Sequence, residues 1–169
     1  MTLALPDFLP GKLILSRGNS RDYVALENFH YIPKRPATWA DVWTIRYSEN
    51  RKIESRIIAV GVLSYSVPRC RLREKFFNTK NYSWREHCQF VNKNLRTISR
   101  VIVHPQFRSL GLSTILVRCL CNNCPTRYVE SLAMMARAHP FFERAGMTRI
   151  EPDNSDEPVY FIFDRKESA

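Results

Sequence analysis

The sequence predicts one α/β (α+β) domain, residues 1–169, built on a mixed, largely antiparallel twisted sheet of about seven strands flanked by helices. Two observations indicate this organisation, and a third indicates the kind of partner. Short runs rich in β-branched residues alternate with helix-like runs along 169 residues, a length that suits one core. A basic segment, 66–94, separates the third strand from the fourth. The formal net charge of +10 predicts attraction to a polyanion.

The N-terminal half supplies three strands and one helix. The runs "KLILS" and "DVWTIRYS" are typical of strands, and "SRIIAVGVLSYS" has the continuous apolar centre of a strand that is buried on both faces. Between the first two, "NSRDYVALENFHY" has helical apolar spacing and begins at a capping Asn19 or Ser20. Two prolines make "IPKRPATW" a loop.

The C-terminal half supplies four strands and two helices. The run "LRTISRVIVHP" predicts the fourth strand, and the apolar run Leu112–Cys121 predicts a helix after it. A fifth strand, "RYVESLAM", precedes a short helix in "HPFFERAGM", where Pro140 suits the first turn and Gly146 the end. The runs "TRIEP" and "PVYFIFDR" complete the order β-α-β-β-(helical insert)-β-α-β-α-β-β.

The basic insert, residues 66–94, is predicted to form one or two short helices. From Val67 to Asn94 it carries seven Lys/Arg and two Glu, with aromatic residues between them. This mixture is typical of nucleic-acid binding, because charges follow phosphates and rings stack on bases. The alternative is that the rings pack the insert on the body while the charges face water. The nucleic-acid-binding candidates are Lys34, Arg35, Arg69, Arg71, Arg73, Lys75, Lys80, Tyr82, Trp84 and Arg85.

The stretch "RVIVHPQFRSLGLSTILVRCL" predicts a buried strand, a turn and a helix that starts near Leu112. Backbone amides from Ser109 to Thr114 would then point outward at a helix N-terminus and form an anion cradle. Gly111 would let a phosphate approach the backbone, and Arg108 would add a positive charge. The alternative is an ordinary strand–turn–helix with a capping serine.

Two motifs resemble those of the GNAT N-acetyltransferase superfamily. "VHPQFRSLGLS" resembles its acyl-CoA signature, Arg/Gln-x-x-Gly-x-Gly/Ala, with Ser113 in place of the last glycine, and "ARAHPFFERAGM" resembles a later motif. The resemblance is strongest from Leu95 to Met147. It implies that the fourth and fifth strands splay apart around acetyl-CoA or another acyl-CoA. The cofactor-binding candidates are Ile102, Val103, Arg108, Ser109, Leu110, Gly111, Leu112, Ser113, Thr114 and Phe142.

The resemblance also suggests which side chains carry acyl transfer. Many members use a tyrosine to protonate the departing sulfur, but its place here is taken by Phe142, which leaves Tyr128, Ser131, His139 and Tyr160 as alternatives. Candidate bases are His30, Glu130, His139 or water; His30 could instead pack at a helix end, and Glu130 could pair with an arginine. The catalytic candidates are His30, Tyr31, Ser99, Arg100, Glu130, Ser131 and His139.

A narrower resemblance concerns "FHY…P", "SRVIVHPQFR" and "HPFFERAGM". They are similar to a GNAT branch that includes domains fused to ABC-type ATPases and phage Mom-like DNA-modifying proteins. The resemblance implies an acyl-CoA-dependent N-acyltransferase acting on nucleic acid, with DNA adenine modification as the Mom-like case. The alternatives are a protein or small-molecule amine N-acetyltransferase and a non-catalytic nucleic-acid-binding module.

The remaining sequence features concern the location of the protein in the cell and its content of disulfides and metals. No signal peptide or membrane span is recognised, so we expect a cytoplasmic protein, in the host cytoplasm if a phage encodes it. Five cysteines, an odd number, argue against a disulfide framework. "CLCNNCP" contains one C-x-x-C but no second pair, so no metal site is predicted. The sequence leaves the oligomeric state open, a homodimer included.

Overall fold

A computed structural model describes residues 2–3, 11–31, 34–49, 55–134 and 138–166, with only the backbone of residues 2–3. One sheet has the order β1-β2-β3-β4-β5-β6-β8-β7 and is antiparallel at every pairing except β5–β6. Its strands are β1 Thr2–Leu3, β2 Lys12–Arg17, β3 Asp41–Ser48, β4 Arg56–Ser64, β5 Leu95–Val103, β6 Tyr128–Ala133, β7 Thr148–Ile150 and β8 Val159–Asp164. The predicted fold class is confirmed, and the two-residue β1 adds an eighth strand.

The helices are short apart from two. Their bounds are α1 Ser20–Val24, α2 Arg71–Phe77, α3 Trp84–Asn94, α4 Leu112–Asn123 and α5 Phe141–Arg144. The helix predicted over 19–31 ends early, because the amides of Leu26 and Phe29 bond three residues back and a 3-10 turn, Glu27–Phe29, replaces its second half. None of the helices in the described part of the chain is long and apolar enough to cross a membrane.

Helix α4 packs closely on the centre of the sheet. Its buried face carries Leu116, Val117 and Leu120, which lie against β4. A Cβ added at Gly61 would lie 2.8 Å from Cδ1 of Leu120, so the glycine in β4 allows this close approach. The contact sets how closely α4 packs on the sheet at this position.

The basic insert forms α2 and α3 between β4 and β5, as predicted. A capping box starts α3: the hydroxyl of Ser83 accepts from the amide of Glu86, whose carboxylate accepts from the amide of Ser83. The ring of Phe77 packs edge-on against those of Phe90 and Tyr128, at centroid distances of 5.2 and 4.8 Å. Contacts among these three rings therefore hold the insert against β6.

Strands β5 and β6 pair for only part of their length. They are parallel and in register from Leu95–Thr97 to Tyr128–Glu130, and the ladder ends there. On its other edge β5 continues to pair with β4 up to Val103. The fourth and fifth predicted strands, which are β5 and β6, thus separate beyond Thr97 and Glu130.

Candidate active site

The separation of β5 and β6 opens a cleft of about 120 Å³. It is lined by His30, Tyr31, Ile98, Ser99, Arg100, Val101, Ser131, Leu132, Ala133, Phe141 and Phe142. Six of the predicted site residues are among them. The structure therefore brings together side chains from the loop after α1, from both separating strands and from α5.

A β-bulge at Ser99 turns β5 away from β6. Val62 pairs with Arg100 and Leu63 with Ile98, so Ser99 is the extra residue on β5. Its hydroxyl lies 2.7 Å from that of Ser64, which holds the bulge to β4. Across the opening, the Ser131 hydroxyl donates to the carbonyl oxygen of Ile98 at 3.1 Å, where the two strands begin to separate.

Beyond the bulge, one edge of β5 faces the cleft without a partner strand. The His104 amide donates to the carbonyl oxygen of Ile58 at 2.8 Å, and strand amides alternate between the two edges. The amides of Val101 and Val103 therefore face the open edge. The backbone of Ile102, a predicted cofactor contact, faces β4 instead, and its side chain is buried in the core.

The turn before α4 presents a row of backbone amides. Within the residues that the structure describes, none of the six amides from Ser109 to Thr114 donates a hydrogen bond to the protein. The first helical bond runs from the Ile115 amide to the Gly111 carbonyl oxygen at 3.1 Å. Unpaired amides at a helix N-terminus carry partial positive charge, so this row, named the amide cradle, favours an anion.

Two residues with positive φ shape the amide cradle. Gly111 has φ 73° and Ser109 has φ 66°. A Cβ added at Gly111 would meet no atom within 4 Å, so space is open over the backbone there. Arg108 is exposed, and its guanidinium forms no ion pair with any described residue. Of the other cradle residues, Leu110 and Leu112 direct their side chains into the core, while Ser113 and Thr114 are half-buried.

The loop after α1 forms one wall of the cleft. Its 3-10 turn is held against the end of β5, because the ring of Phe29 packs edge-on against that of His104 at 4.8 Å. His30 and Tyr31 follow, with rings stacked at 4.7 Å. Tyr31 is 60% exposed and His30 is half-buried. An imidazole and a phenol thus border the cleft.

Arg100 projects from β5 into the wall of the cleft. Its Nη1 donates to the carbonyl oxygen of Ser99 at 2.6 Å and its Nη2 to that of Lys34 at 2.7 Å. Its Nε is buried and has no acceptor among the described residues. The guanidinium therefore meets only neutral oxygens, while Lys34 extends its own ammonium group into solvent.

Glu130 lies behind the cleft rather than in it, which differs from its predicted role as a base. Its carboxylate is 3% exposed and pairs bidentately with Arg73, which is 2% exposed, at 2.7 and 2.8 Å. The hydroxyls of Thr97 and Tyr160 donate to it at 2.7 and 2.9 Å. With four donors in place, Glu130 has no free lone pair directed at the cleft, and the arginine alternative is the one observed.

The alternative acids have different surroundings. Burial and the neighbouring Glu130 carboxylate raise the pKa of Tyr160, whose hydroxyl points away from the cleft. Tyr128 packs against Phe77 and does not line the cleft either. His139 is exposed at the start of α5, outside the lining. Phe142 stacks on Phe161 at 4.8 Å and presents no proton donor.

The predicted nucleic-acid-binding residues divide into paired and unpaired groups. The prediction that Arg73 binds nucleic acid is wrong, because a buried arginine held by Glu130 cannot reach a phosphate. Exposed ion pairs engage three others: Arg35 with Glu27, Arg71 with Asp153 and Glu157, and Lys75 with Asp153. Exposed and without an ion pair to any described residue are Lys34, Arg69, Lys80 and Arg85. Trp84 is 59% exposed and Tyr82 is exposed beside it.

Sequence reasoning missed five residues of the lining: Ile98, Val101, Leu132, Ala133 and Phe141. They are apolar, so no chemical pattern distinguishes them from the core. For Ile98 and Val101, strand parity was the available signal, but the bulge at Ser99 shifts that parity and leaves no mark in the sequence.

The cysteines of "CLCNNCP" lie in the core. Cys119, Cys121 and Cys124 are buried between α4 and the sheet. Burial raises the pKa of the Cys119 thiol to about 11 and raises that of Cys121 as well. Both therefore remain protonated thiols and act as small apolar side chains. Among the described residues, no three His, Cys, Asp or Glu side chains form a group that could hold a metal ion.

No protein-family model matches the chain, and no curated protein matches it in sequence. Solved structures do match. NAA60 of Arabidopsis thaliana in complex with acetyl-CoA has a TM-score of 0.57 at 14% identity, covering 89% of this chain and 97% of that one. Aminoglycoside acetyltransferase AAC(6')-Ib with coenzyme A and kanamycin has a TM-score of 0.54 at 14% identity, covering 91% and 95%. The KacTA–DNA complex has 0.54 at 14%, covering 92% and 94%. The chain has the GNAT acetyltransferase fold.

Proposed function

We propose that the protein is an acyl-CoA-dependent N-acyltransferase of the GNAT type that modifies an amine of a nucleic acid, with DNA as the first candidate. One observation carries the transferase assignment: six consecutive amides, Ser109–Thr114, donate to no described residue at the start of α4, the helix that follows β5. A diphosphate suits such a row, because amide dipoles and the helix end both favour negative charge.

The residues present fit an acyl-CoA. The amide cradle and Arg108 would hold the diphosphate, and the open space over Gly111 admits it. The backbone groups of Val103 and the carbonyl oxygen of Val101, on the open edge of β5, would pair with the amides of the pantetheine arm. Bound acyl-CoA supplies the acyl group as a thioester. On this proposal acetyl-CoA is the simplest donor.

The side chains around the cleft supply proton transfer. The Val101 amide would donate to the acyl oxygen and stabilise negative charge there. His30 would take the proton that the attacking amine loses, since the structure commits Glu130 to Arg73. The hydroxyl of Tyr31 or of Ser131 would protonate the departing sulfur. Tyr31 would thereby take the role of the tyrosine whose usual place is occupied here by Phe142, since both residues line the cleft.

The unpaired charges support a nucleic-acid acceptor. The net charge is +10, and Lys80, Arg85, Tyr82 and Trp84 form an exposed basic and aromatic group at the α2–α3 turn, named the turn patch. Its charges would follow phosphates and its rings would stack on bases. A base within a duplex would have to be flipped out to reach the cleft. On this proposal the protein acts in the cytoplasm, or in a host's cytoplasm if a phage encodes it.

The test is mass spectrometry of nucleosides from single-stranded DNA, duplex DNA and RNA, each incubated with the protein and acetyl-CoA. We expect one nucleoside to gain the mass of an acetyl group, with single-stranded DNA reacting faster than duplex because no base must be flipped. Transfer to proteins or small amines without any modified nucleoside would contradict the nucleic-acid assignment.

Two isosteric variants test the amide cradle. Asn and Asp both tolerate a positive φ, so Gly111→Asn and Gly111→Asp introduce similar bulk, and only the second introduces a negative charge. We expect calorimetry to show weaker acetyl-CoA binding for both, with Gly111→Asp weaker than Gly111→Asn by at least about tenfold. Unchanged affinity in both variants would exclude the cradle and with it the transferase assignment.

A further inference from the structure

Among the described residues that line it, the cleft has a positive charge and no carboxylate to balance it. Arg100 contributes a permanent charge, and none of the described lining residues is Asp or Glu. The two segments that adjoin lining residues in sequence but lie outside the described residues, 32–33 and 135–137, contain no acidic residue either. This is unexpected for a site that would hold a cationic amine, because a protonated amine is stabilised by carboxylates.

Acidic residues do occur next to the cleft in sequence, but each is committed elsewhere. Glu130 precedes Ser131, Glu143 follows Phe142, and Glu27 lies three residues before His30. Each pairs with an arginine that does not line the cleft: Glu27 with Arg35 at 2.6 Å, Glu130 with Arg73 at 2.7 Å and Glu143 with Arg149 at 2.9 Å. The carboxylates of Glu27 and Glu130 are therefore each balanced by an arginine. Glu143 shares Arg149 with Glu151, which lies 2.6 Å from that guanidinium, and its Oε2 has no partner among the described residues, but Glu143 does not line the cleft.

Arg100, unlike Arg35, Arg73 and Arg149, forms no ion pair with a described residue. Its two hydrogen bonds run to neutral carbonyl oxygens, of Ser99 and Lys34, and its buried Nε has no acceptor in the described part of the chain. An N–H group buried without an acceptor is unfavourable. The guanidinium thus retains both net charge and donor capacity toward whatever enters the cleft.

We infer that Arg100 makes the cleft selective for an amine that is uncharged at neutral pH, such as the exocyclic amine of a nucleobase, and excludes alkylammonium groups. The inference rests on the proposed acyl transfer. Lysine has a pKa of about 10.4, so less than about 0.1% of its amine is uncharged at pH 7. Arg100 repels the protonated lysine amine, which is nearly all of it. Repulsion of the wrong acceptor is an effective source of specificity.

The same arginine would orient the nucleobase. An exocyclic amine of adenine lies beside a ring nitrogen that accepts hydrogen bonds, and arginine donors pair well with such atoms. Lysine offers no acceptor beside its amine. Arg100 therefore distinguishes the two acceptors twice, by charge and by hydrogen bonding.

The experiment compares three acceptors with acetyl-CoA at pH 7.5, read by product mass: a mixed-sequence single-stranded DNA, the arylamine p-toluidine, and a blocked peptide whose only charged group is one lysine. The arylamine shares the uncharged state with a nucleobase but is not a nucleic acid. We expect the wild type to acylate p-toluidine at least about 100-fold faster than the lysine peptide. Arg100→Gln should reduce that ratio by at least about tenfold, and Arg100→Glu further.

Two further variants separate charge from structure. Arg100→Lys retains the positive charge, so it should still exclude the lysine peptide. It loses the paired N–H donors of the guanidinium that would orient a nucleobase. Arg96→Gln is the matched control, because Arg96 lies on the same strand and donates to the carbonyl oxygens of Asn92 and Leu95 outside the cleft. It should leave the ratio unchanged. Acetyl-CoA affinity confirms that each variant retains the coenzyme site.

The outcomes distinguish the inference from the proposed function. Acylation of the lysine peptide by the wild type as fast as p-toluidine, or a ratio that Arg100→Gln leaves unchanged, overturns the inference. Acylation of p-toluidine but not of DNA, with the ratio still dependent on Arg100, supports the inference and overturns the nucleic-acid assignment. Modified DNA with an unchanged ratio supports the assignment and overturns the inference.

Discussion

Arg73 and Arg100 lie near the point where β5 and β6 separate, and their surroundings differ. Arg73 reaches Glu130 at the last paired position and is buried with every polar neighbour satisfied: two carboxylate oxygens and the carbonyl oxygens of Val67 and Pro68 accept its hydrogen bonds. Arg100, beyond the separation, meets only neutral oxygens. Where β5 and β6 are paired, the arginine has a carboxylate as counter-ion. Where the strands separate, the arginine keeps a charge that a ligand can contact.

The difference has a physical reason. A buried charge without a counter-ion costs several kcal/mol, so the insert can fold against β6 only if Arg73 finds Glu130. A charge at the wall of an open cleft is partly hydrated and can remain unpaired at small cost. The fold therefore tolerates an unbalanced arginine only where solvent or a ligand can reach it.

The largest predicted effect is that of breaking the buried pair. Arg73→Met leaves the Glu130 carboxylate buried without its counter-ion, and we expect the free energy of unfolding to fall by about 3–5 kcal/mol. Arg73→Met combined with Glu130→Gln should be less destabilised than Arg73→Met alone, because no buried charge remains. Urea denaturation of the three proteins measures this.

The matched change in the cleft is Arg100→Met. It removes two hydrogen bonds to carbonyl oxygens and no ion pair, so we expect a loss of about 1 kcal/mol. Equal losses for Arg73→Met and Arg100→Met would show that the two regions do not differ in charge balance.

The second prediction concerns the support of the amide cradle. In Gly61→Ala the new Cβ would meet Cδ1 of Leu120 at 2.8 Å, and because Leu120 is fully buried, we expect its displacement to shift α4. We expect the free energy of unfolding to fall by about 1–2 kcal/mol and acetyl-CoA affinity to fall with it. Thermal unfolding and calorimetry measure the two quantities.

Leu120→Val provides the control for that displacement. It removes the clashing Cδ1 atom, so adding it to Gly61→Ala should recover acetyl-CoA affinity. If Gly61→Ala binds acetyl-CoA as tightly as the wild type, the height of α4 above the sheet does not govern the coenzyme site.

The contrast between the two arginines also marks what the sequence could and could not predict. The strands, α4 and the run of amides before it follow from local patterns, since apolar spacing and a single glycine suffice to identify them. Arg73 and Glu130 are 57 positions apart, and no local pattern joins them. Arg73 was therefore assigned to phosphates and Glu130 to catalysis, although each neutralises the other.

The open edge of β5 shows the same limit of sequence-based prediction, over a shorter distance along the chain. Alternation predicts which backbone groups face the cofactor only if the strand is regular, and the bulge at Ser99 shifts the alternation by one residue. Ile102 and Val103 were both selected, although of these two only Val103 has its backbone groups on the open edge. A bulge depends on the partner strand, so the sequence of β5 alone does not contain it.

The third prediction extends the comparison of paired and unpaired charges to the surface. Lys80→Gln with Arg85→Gln removes two unpaired charges from the turn patch. We expect affinity for single-stranded DNA to fall a few-fold, and the slope of log affinity against log salt to fall by about 1–2. The control, Lys12→Gln with Lys166→Gln, removes two exposed charges elsewhere and should change the slope less. Equal slopes for the two double variants would place nucleic acid elsewhere on the surface.

The smallest predicted effect concerns the loop that holds the Arg100 guanidinium. Arg35 pairs bidentately with Glu27 at 2.6 and 2.8 Å, and this hydrogen bonding lowers the pKa of the exposed Glu27. A lowered pKa in the folded state means that the stabilisation is present above the ordinary glutamate pKa and is lost as pH falls through the lowered one. Glu27→Gln should therefore melt slightly below the wild type at neutral pH, and the difference should vanish in acid. Since Lys34 precedes Arg35 and accepts from Arg100, loosening this pair should also weaken the exclusion of lysine. A difference in melting temperature that persists in acid would show that the Glu27 carboxylate is not its source.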